Sequence, residues 1–145
     1  MYRVFVADNL APEGVKALEE YADLDIDFSP GLDTDSAIEH ARLADAIIVR
    51  SATKVRGPFL DAAIKIKVIG RAGIGVDNID LETATERGIV VLNTPDANAT
   101  TTAELAIAHM FSLSRKLTDA DRSVRDGKWE RNSFLGSELS GKTVG

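Results

Sequence analysis

The sequence contains no cysteine, which excludes disulfide bonds, a thiolate nucleophile and any metal site built from thiolates. Long apolar runs are also missing, and none approaches the roughly 18 residues that a membrane-spanning helix needs. Only two histidines occur, His40 and His109, and neither has an acidic residue placed as in a catalytic triad. Metal-ligand spacings are missing as well. We therefore predict no catalytic residue and no metal site, with His40 as a surface residue.

The charge balance is acidic, with a formal net charge of −6. Proteins that bind nucleic acid usually present a basic face, so we predict no nucleic-acid partner, and no membrane partner either. Hydrophobic residues make up 44% and charged residues 28% of the sequence, as in ordinary globular domains. Met1 leads directly into a strand-like run without the apolar core of a signal peptide, which predicts a cytoplasmic location.

Short apolar runs alternate with segments of helical periodicity over residues 1–95. The predicted strands are residues 3–8, Leu24–Phe28, Ala46–Val49, 67–69 and 89–92. The predicted helices are residues 14–21, 34–43 (capped by Asp33 or Thr34), 57–64 and 81–87, the last ended by Gly88. This alternation predicts an α/β fold, in which a flavodoxin-like parallel five-stranded sheet has helices on both faces.

The character of the sequence changes after residue 95. Residues 98–102 are polar, residues 103–117 (Ala103 to Leu117) predict a long apolar helix, and residues 119–126 predict a charged one. Residues 142–145 have the character of the start of a strand. Because an apolar helix needs a partner surface, we predict that the helix from Ala103 to Leu117 pairs two copies into a homodimer.

The most informative motif is the glycine-rich segment that follows the fourth predicted strand, residues 70–75 with the sequence GRAGIG. Gly73 and Gly75 lack a Cβ, so a bound group can approach their backbone N–H groups closely, and Arg71 adds a fork-shaped positive charge. These features predict a site for a small anion such as a carboxylate or a phosphate. The spacing differs from the dinucleotide fingerprint G-x-G-x-x-G. A tight strand-to-helix turn that needs glycine for geometry alone is the alternative.

Arg50 follows the third predicted strand, so it should border the same edge of the sheet as Arg71. An arginine at the end of a buried strand needs a partner, and a salt bridge to a carboxylate such as Asp77 is one interpretation. The other is that two arginines at neighbouring strand ends bind a ligand with two acidic groups.

Four segments, in this order, resemble the NAD-dependent D-2-hydroxyacid dehydrogenase family: RSATKV at 50–55, GRAGIGVDNID at 70–80, NTP at 93–95 and DGKWER at 126–131. They closely resemble members that oxidise 3-phosphoglycerate to 3-phosphohydroxypyruvate, the first step of serine biosynthesis, and the resemblance covers nearly the whole chain. The resemblance implies an oxidoreductase that uses NAD and takes 3-phosphoglycerate as its small anionic substrate.

The resemblance also implies the roles of individual residues. Arg50 and Arg71 would bind charged groups of the substrate, the amides of residues 73–75 would hold its carboxylate, and Ile74 would also touch the cofactor. The substrate-binding set is Arg50, Ser51, Arg71, Ala72, Gly73, Ile74 and Gly75.

The resemblance further divides the chain into a substrate-binding domain, residues 1–95, and an extension, residues 96–145. The extension would hold the interdomain and dimerisation helix, a loop and the start of an incomplete nucleotide-binding domain. Residues 139–145 resemble the segment that leads into the family's glycine fingerprint and its catalytic arginine, glutamate and histidine. We therefore expect a chain truncated before that fingerprint, with no NAD bound to it and no turnover by itself.

The alternative function is a stand-alone flavodoxin-like binding or dimerisation module without catalysis. A receiver domain would need an acidic residue at the end of the third strand and a lysine at the end of the fifth, where Arg50 and Asn93 stand. A flavodoxin would need a hydroxyl-rich first loop for the flavin phosphate, whereas residues 8–12 read DNLAP. The sequence therefore lacks the residues that a receiver domain or a flavodoxin would need.

Overall fold

A computed structural model describes all 145 residues, and its central element is one sheet of five parallel strands. The strands are β1 (Tyr2–Val6), β2 (Leu24–Phe28), β3 (Ala46–Val49), β4 (Val68–Arg71) and β5 (Val90–Asn93). Their order across the sheet is β2-β1-β3-β4-β5, and every neighbouring pair is parallel. This is the flavodoxin-like order, so the predicted α/β fold is confirmed.

Helices connect and follow the strands. They are α1 (Pro12–Glu19), α2 (Thr34–Leu43), α3 (Pro58–Ala62), α4 (Leu81–Glu86), α5 (Ala99–Arg115), α6 (Leu117–Arg125) and a short 3-10 helix, Arg131–Phe134. Asp33 caps α2, since its carboxylate accepts a hydrogen bond from the Ser36 amide at 3.0 Å. Gly88 follows α4 with a φ of 67°, a backbone conformation that favours glycine. No helix is long and apolar enough to cross a bilayer.

The chain forms two compact units, Met1–Ala97 and Asn98–Gly145. Every buried hydrophobic side chain belongs to the first unit, and the largest of those that are fully buried are Phe5, Ile47, Leu60 and Ile69. In the second unit only Ser123 is buried. The sheet therefore has a hydrophobic core of its own, whereas the helices of the second unit have none. The functional roles expected for residues 1–95 and 96–145 stay predictions.

Three strands end at different residues from those predicted, and one of them is β5, which runs from Val90 to Asn93 instead of over residues 89–92. β1 stops at Val6 instead of residue 8, because its pairing with Phe28 of β2 and Ile48 of β3 ends there. β4 continues to Arg71 instead of stopping at residue 69, because Arg71 pairs in register with Val49 and Asn93. Arg71 is therefore part of the sheet and not of the loop.

The apolar helix is also shifted. α5 begins at Ala99 and ends at Arg115, whereas residues 103–117 were expected to form it. The polar residues 100–102 belong to its first turns, and Lys116, with a φ of 52°, ends it and separates it from α6. Residues 142–145 form no strand, since a strand needs a neighbour with which to pair.

Candidate functional site

The loop after β3 is held by the carboxylate of Asp8, which lies at the end of β1 and is buried. Oδ2 of Asp8 accepts from the Arg50 amide at 2.6 Å, and Oδ1 accepts from Oγ1 of Thr53 at 2.6 Å. The Thr53 amide donates to the same carboxylate at 3.2 Å. Burial raises the pKa of Asp8, but these hydrogen bonds outweigh burial, and the pKa lies below its ordinary value. Asp8 therefore stays ionised and fixes the backbone at Arg50.

The side chain of Arg50 is exposed, and its Nη1 donates to the Asn9 carbonyl at 3.2 Å. It lines an open cavity of about 340 Å³ together with Asp8, Asn9, Pro30, Gly31, Ser51 and Ala52. The interpretation that Arg50 pairs with Asp77 is wrong. The Asp77 carboxylate lies instead near Arg71, at 3.7 Å, because Arg71 ends the neighbouring strand and precedes the same loop.

Arg71 is the more enclosed of the two arginines, with a side chain that is 11% exposed. Its Nε donates to Oδ1 of Asn78 at 2.9 Å. Its Nη1 lies over the Cα of Gly73 so closely that a Cβ there would collide with it. Gly73 therefore makes room for the guanidinium group, which gives this glycine a steric role beside Arg71.

The amides that follow Arg71 differ in their availability to a ligand. The Ala72 amide donates to the Val49 carbonyl at 2.8 Å, and the Gly73 amide donates to the Arg71 carbonyl at 2.9 Å. The amides of Ile74 and Gly75 donate to no acceptor within the chain. Ile74 is 43% exposed. Two adjacent N–H groups next to an arginine can bind an anionic oxygen.

Asn78 is fully buried and connects the segment after β3, which contains Arg50, to Arg71 at the end of β4. While its Oδ1 accepts from Arg71, its Nδ2 donates to the carbonyls of Arg50 at 2.8 Å and of Thr53 at 2.7 Å. Sequence reasoning missed both Asp8 and Asn78. Asp8 closely follows β1 and Asn78 lies inside the motif GVDNID, but neither position by itself indicates a contact with the loop after β3.

The structure brings only part of the predicted set together. Of that set, Arg50 and Ser51 line the cavity, while the segment from Arg71 to Gly75 does not. The two parts are connected through Asn78. The individual binding roles of these residues, including that of Ile74 toward the cofactor, stay predictions.

His40, on α2, belongs to a separate polar cluster, and its side chain is 31% exposed, so this expected surface residue is partly buried. Its Nδ1 lies 2.7 Å from Oδ2 of Asp27, which also accepts from Arg3 at 2.8 Å, and its ring packs 5.2 Å from that of Phe5. Burial raises the pKa of Asp27, but hydrogen bonds from Arg3, Ser29 and His40 outweigh it, so that the pKa is lowered.

No three His, Cys, Asp or Glu side chains are grouped to bind a metal ion.

The loop after β4 does not fit the pyrophosphate of a dinucleotide. Such a site needs glycines that open the backbone at the start of a helix, where the N-terminal amides hold the phosphates. Here the space above Gly73 is filled by the Arg71 guanidinium group, and α4 begins only at Leu81. The described residues therefore offer no NAD cradle at this loop.

The family model and the curated relatives that match this chain indicate the same protein family. The family model for the catalytic domain of D-isomer specific 2-hydroxyacid dehydrogenases matches residues 4–139. D-3-phosphoglycerate dehydrogenase of Archaeoglobus fulgidus is 46% identical over 143 residues, covering 99% of this chain and 27% of the relative. The human enzyme of the same name is 43% identical with the same coverage. This chain thus spans about 27% of the length of these curated relatives.

Comparison with solved structures indicates the same family. The NAD+-bound 3-phosphoglycerate dehydrogenase of Entamoeba histolytica aligns with a TM-score of 0.74 at 32% identity, over 95% of this chain and 43% of that one. A Thermus thermophilus protein aligns with a TM-score of 0.83 at 30% identity, over 96% of this chain and 46% of that one. Together with the family model, these matches show that the chain belongs to the D-isomer specific 2-hydroxyacid dehydrogenases, a family that is NAD-dependent.

Proposed function

We propose that this chain is the substrate-binding part of a dehydrogenase that oxidises 3-phosphoglycerate to 3-phosphohydroxypyruvate in serine biosynthesis. The curated relatives described above carry the name of that enzyme and match nearly every residue of this chain. This chain spans about 27% of their length, and its own side chains provide donors for an anionic substrate.

The observation that carries this proposal is the position of Arg71 at the carboxyl end of β4. Its guanidinium group lies against Gly73 and near Gly75, and together with the free amides of Ile74 and Gly75 it suits a carboxylate or a phosphate. The exposed guanidinium group of Arg50 borders a cavity at the end of the adjacent strand. A substrate with an acidic group at each end, such as 3-phosphoglycerate, suits this pair of cations.

In this proposal the residues of the chain bind and orient the substrate, and they do not carry out the proton transfer. Neither histidine provides a base at the site, since His40 pairs with Asp27 and His109 lies on the exposed helix α5. The loop after β4 also offers no cradle for NAD. We therefore propose that these 145 residues bind 3-phosphoglycerate without turning it over when they are tested alone.

Titration of the 15N-labelled chain with 3-phosphoglycerate tests the binding claim. The expected result is saturable shifts of the Ile74 and Gly75 amides and of both arginine side chains. D-Glycerate, which lacks the phosphate, and glycerol 3-phosphate, which lacks the carboxylate, serve as matched ligands and should each bind more weakly. If the three compounds bind equally or none binds, the proposal is wrong.

We also propose that α5 pairs with a second copy of the chain. Its apolar side chains are uncovered, since Leu105 is 58%, Phe111 is 50% and Leu113 is 80% exposed. Apolar area of this kind favours association in water. Light scattering at micromolar concentration should give the mass of a dimer, and Phe111→Asp should give the mass of a monomer. A monomeric mass for the unaltered chain would contradict the proposal.

A further inference from the structure

We propose that Asn78 is a positioning residue, which orients Arg71 without neutralising it and fixes the backbone at Arg50. This inference rests on the proposed function, since it concerns the two arginines of the same site. Asn78 is fully buried, although it touches neither the cavity at Arg50 nor solvent. Its three hydrogen bonds, to the Arg71 side chain and to the carbonyls of Arg50 and Thr53, account for its burial.

The chemistry of the partners determines which side chain can stand at this position. A guanidinium group can only donate, and a backbone carbonyl can only accept, so the residue between them must do both. The amide of Asn78 accepts at Oδ1 from Arg71 and uses both N–H groups of Nδ2 for the Arg50 and Thr53 carbonyls. A carboxylate would keep the first contact and lose the other two, and a leucine would lose all three.

The neutrality of Asn78 matters as much as its geometry. The nearest carboxylate to Arg71 is that of Asp77, which lies 3.7 Å away and is 81% exposed, so solvent weakens this ion pair. Asn78 is the closer acceptor, at 2.9 Å, and carries no charge. The positive charge of Arg71 is therefore held in a fixed orientation and is still available to an anionic ligand.

The first test needs no ligand and uses the whole 145-residue chain. In the unaltered protein, the Arg71 Nε–H proton should exchange slowly with water because it is bonded to Asn78. Asn78→Leu should accelerate this exchange about tenfold or more, whereas Asn78→Asp should keep it slow. If Asn78→Leu does not fold, Asn78→Ala replaces it. Unchanged exchange in the leucine or alanine variant would overturn the inference.

A variant that lowers stability elsewhere provides the control. Ile66→Val removes one methyl group from the core just before β4, at the end of that strand opposite to Arg71. It should lower the denaturation midpoint and leave the Arg71 Nε–H exchange slow. If Ile66→Val accelerates the exchange as much as Asn78→Leu does, the role of Asn78 is only structural.

The second test measures the dissociation constant of 3-phosphoglycerate. Asn78→Leu should raise it about tenfold or more, because Arg71 loses its orientation. Asn78→Asp should also raise the dissociation constant although Arg71 stays oriented, because the new carboxylate neutralises the positive charge of Arg71. Unaltered affinity in Asn78→Asp would overturn the neutrality argument. If the unaltered chain does not bind 3-phosphoglycerate but the exchange rates respond as expected, the proposed substrate is wrong and the positioning role stands.

Discussion

At the scale of single residues, Gly73 is the position where one added methyl group should change the site most. In Gly73→Ala the new Cβ meets Nη1 of Arg71, and the guanidinium group must leave its contact with Asn78. A charge-assisted hydrogen bond contributes about 1.5–3 kcal/mol, so we expect the dissociation constant of 3-phosphoglycerate to rise about tenfold or more. Isothermal titration calorimetry measures this change.

Gly75→Ala is the matched control for that experiment. A Cβ at Gly75 would lie 3.1 Å from Oδ1 of Asp77, whose exposed side chain can rotate away. The effect on binding should therefore be clearly smaller than that of Gly73→Ala. Equal losses in the two variants would show that the loop, and not the position of Arg71, determines affinity.

Asp8 should make the stability of the protein depend on pH. Because its pKa in the folded state lies below that of an unfolded aspartate, near 3.9, the unfolded state takes up the proton first as the pH falls. The contribution of Asp8 is complete above that value and is lost as the pH drops through the lowered pKa. Asp8→Ala should lower the free energy of unfolding by about 1–3 kcal/mol at neutral pH.

Urea denaturation at a series of pH values measures both effects of Asp8. The difference between the unaltered protein and Asp8→Ala should shrink toward acidic pH. Asp27 also has a lowered pKa, so the variant keeps part of the acid dependence. A difference in stability that is the same at every pH would contradict the role given to the Asp8 carboxylate.

At the scale of secondary-structure elements, replacing two glycines by alanine should change the stability of the protein in opposite directions. Gly88 has a φ of 67° after α4, and an alanine in this left-handed conformation costs about 1 kcal/mol. Gly14 lies inside α1, where a Cβ would meet only the Cβ of Leu10 at 4.0 Å. Alanine at that position should stabilise the protein by about 0.5–1 kcal/mol. Urea midpoints should therefore fall for Gly88→Ala and rise for Gly14→Ala, and changes of the same sign would contradict this interpretation.

Element boundaries that depend on residues close by in the sequence were predictable. Asp33 marks the start of α2, Gly88 follows the end of α4, and β2 and β3 have the predicted bounds. The ends of β1 and β4 were not predictable, because partners on other strands determine them. Arg71 joins β4 only because Val49 and Asn93 stand beside it.

The same distinction applies to the site. Arginines and glycines close together in the sequence indicated an anion site. Asp8 binds the Arg50 amide across 42 positions of the sequence, and Asn78 binds the Arg50 carbonyl across 28. A single sequence contains no local signal for such contacts, since either residue could equally be a solvated loop residue.

At the scale of the whole molecule, the uneven distribution of the core predicts uneven protection against hydrogen exchange. The buried hydrophobic side chains lie in Met1–Ala97, whereas Asn98–Gly145 buries only Ser123. Amides of β1, β3 and β4 should therefore exchange only through global unfolding, and those of α5 should exchange much faster in dilute solution. If α5 pairs two copies, its protection should rise with protein concentration. Protection of α5 equal to that of the sheet at every concentration would contradict this.

The position of Arg71 inside β4 also has a thermodynamic consequence. Its backbone is held on both sides by strand pairing, and its side chain is 11% exposed and bonded to Asn78. The torsional freedom of this long side chain is therefore lost during folding and not when an anion arrives. Binding at this point should have a small entropic penalty, a fast association rate and little movement of the main chain.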